Sequence, residues 1–404
     1  MESDMDDFIA RRPVTDKKAR VCGYHIMLGR NTAAILNTPI IGYTEFGQVK
    51  QSQFFPTLRN LSDHAALYLD YTGELLDVVE SDTALPEPFD RIIQFGKGLE
   101  VNADTCKKLK SRGFKLAFDS SCFSNGAVSP ELADIMIIEF PITSLAAQSG
   151  LIRKYKNKVA FLADKIETWS DFKVARDMGY TLFRGYYFLW PSDSVSRKEI
   201  KALDVCLVGI LSELDKPEPD FRNISDIIEH DLGLSYKLLR LVNSAYMAPK
   251  YRIKSISHAL TYLGTRELHQ WISMLMFSGV KSAENSELIK MSLIRGKLMA
   301  LVSQELQLPS TGSEPFFTGL FSLIDVILNR DIRELLIGLP ITEDVKIALR
   351  GEGNELQSLL SFVVSYEQAE WQKIEDKYPL NVITPQRMAS LYMEAHRWAH
   401  LIDN

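Results

Sequence analysis

At 404 residues the chain exceeds the ~100–200 residues typical of one domain, so two domains are expected. It is 46% hydrophobic and 24% charged, the composition of a soluble globular protein rather than a disordered one. With 46 Lys plus Arg against 52 Asp plus Glu, the net charge of −6 argues against nucleic acid or a polybasic membrane surface as partner.

Through residue 190, short β-like runs alternate with helical segments. Strands are predicted over residues 8–14, 20–28, 66–71, 91–95, 114–118, 135–140, 158–163 and 181–188, each a compact β-branched, aromatic or Leu-rich run. Eight strands with interleaved helices suggest a (β/α)8-like barrel, with chemistry at the strand C-terminal ends. After Pro191 the β signal fades, and the polar stretch SDSVSRKEI reads as a linker or a first helical turn. The division expected is therefore 1–191 for the barrel and 192–404 for an all-helical domain. In residues 224–242, Ile224, Ile227, Ile228, Leu234, Leu238, Leu239 and Val242 recur at helical spacing, with Gly233 marking a break between two helices. Ser255 and Thr265 are predicted N-caps for the next pair. Pro340 and the pair Gly351 and Gly353 punctuate later helices.

The longest apolar stretches fall short of the ~18–20 residues that span a bilayer, so membrane insertion is not expected. The acidic start MESDMDDF is unlike a signal peptide, and Cys22, Cys106, Cys122 and Cys206 form no CxxC pair. A cytoplasmic, reducing compartment is the expectation. No P-loop and no GxGxxG is present. His396 and His400 lie one turn apart, but HRWAH has no general-base Glu, and a polar helix face is expected there. The adjacent His230 and Asp231 mimic a phosphohydrolase metal pair, yet the further His and Asp ligands such a site needs have no evident source.

The segments FIARRPV, GYHIMLG, GFKLAFDS, LADIMIIEF, ADKIET and LFRGYYFLWP occur in the order and spacing of an EAL domain, the barrel phosphodiesterase that hydrolyses cyclic di-GMP. The second half resembles the HDOD (HD-related output) domain through DLGLSYKLLRLVNSAY, IKSISHALTYLG, FTGLFSLIDVIL and SYEQAEW. Together these matches cover nearly the whole chain.

The EAL resemblance implies two divalent cations, held by carboxylates and an Asn, that activate a water for attack on phosphorus. Carried onto this chain, most of that site is altered. The signature Glu falls on His25, and the Arg that follows falls on Gly29, with Arg30 next to it. The third-strand Asn is Asp70 and the fourth-strand Glu is Gln94. Of the paired aspartates Asp119 remains and Ser120 replaces the second, while the sixth-strand Lys is Ile137. Asp164 and Glu167 keep acidity at the seventh strand, Arg184 replaces the Gln before GYYF, and Arg12 the Gln of the first strand's RQP.

Three carboxylates and a Lys are thus lost, and a single such contact commonly supplies a factor of ~10²–10³. No catalytic residue and no resident metal is therefore expected, with weak Mg²⁺ or Mn²⁺ binding at Asp70, Asp119 and Asp164 the disfavoured alternative. Arg12, Arg30 and Arg184 are the candidates for holding the phosphates of cyclic di-GMP, although Arg12 and Arg184 can equally pair with those aspartates and close the cavity. The functional expectation is a non-catalytic signalling adaptor that binds signalling or regulatory proteins through HDOD. A cyclic di-GMP receptor is the alternative, and residual phosphodiesterase activity the third. Lys237, Arg240, Asn243 and Tyr246 are the expected partner-binding residues, projecting outside the Leu234, Leu238, Leu239 and Val242 stripe.

Overall fold

The computed structural model describes residues 8–28, 54–72, 75–76, 90–99, 102–124, 128–191, 205–214, 216, 218–244, 247, 249–278, 285–308, 314–337, 339, 341–370, 373–374 and 383–403. The chain forms two compact units. One contains residues 1–192 and 365–390, the other residues 193–364 and 391–404.

The first unit is a closed eight-stranded barrel in sequential order. Its strands are β1 (Ile9–Thr15), β2 (Val21–Leu28), β3 (Ala66–Asp70), β4 (Arg91–Phe95), β5 (Lys115–Asp119), β6 (Ile135–Glu139), β7 (Ala160–Asp164) and β8 (Leu182–Arg184). β1 runs antiparallel to both its neighbours, β2 and β8, and every other pairing is parallel. Successive residues of a strand alternate between the two barrel faces. That alternation explains a two-layer interior. Val14, Tyr68, Ile92, Ala117, Ile135, Ile137 and Leu162 form an apolar cluster. Two residues further toward the strand ends, the same face carries His25, Asp70, Gln94, Asp119, Asp164 and Arg184.

β8 is shorter than the predicted 181–188. Gly185 has φ +155°, and a Cβ there would lie 1.9 Å from the Ile166 carbonyl oxygen. The chain turns at this glycine: Ile166 N–H donates to the Arg184 carbonyl at 3.0 Å and Tyr187 N–H to the Ile166 carbonyl at 3.3 Å. Tyr187–Leu189 then form a 3-10 turn instead of strand.

Residues 365–390 were expected in the helical domain but cluster with the barrel. The buried Tyr366 accepts from Ile9 N–H at 3.5 Å, and the Tyr186 hydroxyl donates to the Glu367 carbonyl at 3.1 Å. Arg12 Nη2 donates to the Gln368 carbonyl at 3.5 Å.

The second unit is helical. The break between its early helices, Phe221–Glu229 and Leu232–Val242, falls at His230 and Asp231, before the expected Gly233. Asp231 is the N-cap, accepting from Gly233 N–H at 2.7 Å and Leu234 N–H at 2.9 Å, while His230 Nδ1 binds the Asp226 carbonyl at 2.6 Å. The phosphohydrolase-like pair is thus a helix junction. Ile256–Ser278 is two helices joined at Gly264 (φ +77°), and Ser255 caps the first by accepting from His258 N–H at 3.3 Å. Gly351 and Gly353 lie in the loop between Glu343–Arg350 and Glu355–Glu367. His396 is buried rather than on a polar face, with its ring against Tyr392, and His400 is half-buried. Pro340 lies outside the described residues. Among the described residues no helix is long and apolar enough to cross a membrane.

Candidate functional site: a self-paired polar ring at the barrel mouth

Each side chain of the polar layer comes from a different strand, so β-register decides which ones meet. His25 pairs with Arg12 across β1 and β2, Asp70 with Gln94 across β3 and β4, and Asp164 with Arg184 across β7 and β8. Arg184 holds the ring together. Its Nε and Nη2 each lie 2.7 Å from a different oxygen of Asp164, a bidentate fork, and Nη1 donates to Gln94 Oε1 at 2.7 Å. The Arg184 side chain is 4% exposed and that of Asp164 15%.

Because Gln94 gives its oxygen to Arg184, its amide nitrogen must face His25 and Asp70. It lies 2.7 Å from His25 Nε2 and donates to Asp70 Oδ1. His25 Nε2 is also 3.0 Å from Asp70 Oδ2, and His25 Nδ1 is buried without a partner. A proton on Nε2 serves Asp70 but confronts the Gln94 amide, whereas a proton on Nδ1 is itself unmatched. Either tautomer leaves one mismatch.

Burial would raise the Asp164 carboxyl, but the charge and hydrogen bonds of Arg184 outweigh it and hold the pKa at about 2. Asp70 is likewise depressed: burial opposes ionisation, and His25, Gln94 and Arg184 more than offset it. Burial lowers His25 below the usual imidazole range, with Asp70 pulling the other way and Arg184 reinforcing the drop. His25 is therefore neutral at neutral pH.

Asp119 is buried and accepts from the Ser121 backbone at 2.9 Å and from its hydroxyl at 2.5 Å. Ile137 sits in the apolar layer, in register with Asp119. Glu167 is exposed. Gly29 and Arg30 lie outside the described residues. Of the two roles open to Arg184, holding phosphate or pairing with an aspartate, the structure shows the pairing, with Asp164. Arg12 is half-buried, with its guanidinium 5.2 Å from the Tyr186 ring centroid and hydrogen bonds only at 3.5 Å.

Three charged residues escaped the sequence reading. Glu139, at the end of β6, is bound by Lys97 at 2.6 Å and by Lys165, and these two ammonium groups depress its pKa. The signal was present in the alternation, since Glu139 follows Ile137 by two residues and Lys97 and Lys165 lie just past the ends of β4 and β7.

A divalent pair needs several carboxylates with open oxygens. Both oxygens of Asp164 and of Asp70 are engaged, Glu139 is held between two lysines, and Asp119 is partly engaged. Among the described residues no group of three or more His, Cys, Asp or Glu is arranged to hold a metal ion. The ring as it stands does not fit a two-metal centre.

In the helical unit, Leu234, Leu238 and Val242 are buried, while Lys237 and Arg240 are exposed. Asn243 has a different job from the one expected. Its Nδ2 donates to the Leu239 and Ile253 carbonyls at 2.7 and 2.8 Å, and its Oδ1 accepts from Ile253 N–H at 2.9 Å. It fixes a loop. Tyr246 lies outside the described residues, whereas Tyr236, on the helix Leu232–Val242, is 65% exposed.

The fold and the ring define a two-domain protein in which a closed barrel with one reversed strand precedes a helical unit. Residues 200–330 match the HDOD domain, and the ordered motifs of the barrel ahead of them resemble those of an EAL domain. It is 28% identical to the uncharacterized protein YuxH of Bacillus subtilis, over 97% of this chain and 98% of the relative. It is 26% identical to the cyclic di-GMP phosphodiesterase CdgJ of Vibrio cholerae, over 98% of this chain and 93% of the relative. A solved EAL domain protein from Listeria monocytogenes aligns with 46% of this chain and 87% of its own at 14% identity, with a TM-score of 0.32.

Proposed function

We propose that this chain is a non-catalytic adaptor of the cyclic di-GMP signalling type, whose HDOD domain contacts a partner protein. The observation that carries the reading is the Arg184 fork on Asp164, with its third donor on Gln94. A guanidinium occupies two positions where metal ligands would be needed, and it repels any cation that approaches them. The second reading, a cyclic di-GMP receptor, is favoured by Arg12. Its long contacts leave its donors able to turn to a phosphate.

One titration separates the readings. Purified protein is titrated calorimetrically with cyclic di-GMP, with and without Mg²⁺ or Mn²⁺, and the products are analysed. The adaptor gives no binding heat and no linear dinucleotide. Binding without turnover selects the receptor. Linear product formed in proportion to protein, and abolished by Asp119→Ala, refutes both and establishes a phosphodiesterase.

The partner surface is expected around Lys237 and Arg240, which follow the exposed Tyr236 on its helix and add to Lys250, Arg252 and Lys254 beyond it. Lys237→Glu or Arg240→Glu is expected to weaken partner capture, and Lys237→Glu to change stability by less than about 0.5 kcal/mol. Leu238→Ala is expected to cost ~2–5 kcal/mol through a core cavity. Partner capture indifferent to both charge reversals would place the docking surface elsewhere.

A further inference from the structure

The helical unit holds a partly open cavity of about 170 Å³ that the barrel chemistry leaves unexplained. Trp271 and Trp398 wall it, Leu241 and Met247 add apolar surface, and Gln270, Glu267 and Lys297 supply the polar groups. Both indoles are almost fully buried.

The polar groups are unevenly satisfied. Glu267 already receives the Arg266 guanidinium at 2.7 and 3.1 Å. Lys297 is half-buried with its ammonium 5.6 Å from the Trp398 ring centroid, and no carboxylate among the described residues lies within 4.0 Å of it. Gln270 is 3% exposed, lines the cavity, and makes no side-chain hydrogen bond among the described residues. Among the described residues, the Lys297 ammonium thus has no carboxylate in contact and the Gln270 amide no protein partner, so both can turn to a ligand.

We propose that this cavity is a binding site for a small aromatic carboxylate, with Lys297 receiving the carboxylate, Gln270 bonding to it, and the two indoles packing on the ring. Size limits the ligand to about one ring, since an apolar cavity of ~150 Å³ accommodates benzene. A protein segment or a dinucleotide is too large. A metal cation is repelled by Lys297, and a hydrated phosphate gains nothing from the two indoles. Loss of hydration lowers the Lys297 ammonium pKa, with Glu394 and Glu267 only partly compensating. A bound carboxylate would restore that missing charge partner.

Full-length protein titrated with benzoate and phenylacetate, read by tryptophan fluorescence, is expected to saturate at or below about 1 mM. Benzamide, the neutral isostere of benzoate, is expected to bind at least about tenfold more weakly, a comparison that needs no variant. Lys297→Gln should abolish this preference, Lys297→Arg should keep it, and Gln270→Leu should weaken both ligands, with thermal melting run on each variant. No saturable response to either acid, or equal affinity for benzoate and benzamide, overturns the proposal. Benzoate affinity unchanged in a folded Lys297→Gln variant also overturns it.

Discussion

Replacing Arg184 with alanine is expected to destabilise the barrel by about 3–5 kcal/mol, the cost of leaving a buried charge without its partner. The substitution removes three hydrogen bonds at once and leaves Asp164 buried and facing no cation at that distance. Arg184→Lys retains charge but not the fork, so an intermediate loss is expected. Acid should act on the wild type through the same pair. Asp164 has its folded pKa depressed from 3.8 to about 2. Its contribution is therefore complete above pH ~4, and it is lost as the pH falls from there toward about 2. In Arg184→Ala the cause of the depression is gone, and burial raises the carboxyl instead. Stability of the variant should then improve on mild acidification, where that of the wild type does not. Denaturant titrations of the barrel transition at several pH values measure both effects. A loss below about 1 kcal/mol, with unchanged pH dependence, would mean that Arg184 is not the brace of the ring.

How far the sequence carries can be judged from particular residues. The strands were visible because each is a short apolar run bounded by polar helices, and the altered positions were visible because they sit inside those runs. Strand register was what remained hidden. Whether Arg184 meets phosphate, Asp70, Asp119 or Asp164 depends on which side chains share a layer, and that is settled by pairing between strands distant in sequence. Asp164 lies opposite Arg184 across β7 and β8, while Gln94, 90 residues from Arg184, is reached across the lumen. The end of β8 was misjudged for a local reason, since the apolar run continues past Gly185 although the backbone turns there. His230 and Asp231 show the converse. Two residues with metal-site chemistry are consumed by a helix end because their short polar groups satisfy free backbone groups. Nothing in the composition of residues 365–390 marked them as part of the barrel unit.

The ring sets four carboxylates, Asp70, Asp119, Glu139 and Asp164, beside four permanent cations, Arg12, Arg184, Lys97 and Lys165. Such a balance changes what a single restoring mutation can do. His25→Glu puts back the carboxylate implied by the EAL resemblance, but into a position 7% exposed, where the replaced nitrogen lay 3.0 Å from Asp70. With Arg184 already committed to Asp164, the new carboxylate faces a like charge, and about 3–5 kcal/mol of stability should be lost at neutral pH. Burial and Asp70 both raise the pKa of the introduced Glu above its unfolded value of ~4.3. The variant is therefore expected to be least destabilised below pH ~4.3, and to lose stability as the pH rises from there through the folded pKa. Mn²⁺ should leave its melting temperature unchanged, because Arg184 still holds both oxygens of Asp164 and Gln94 one oxygen of Asp70, and the guanidinium still repels a cation. A melting temperature that climbs with Mn²⁺ concentration would reveal preferential binding to the folded state. That result would make the ring a metal centre one residue short of assembly, and the adaptor reading of the barrel would fall with it.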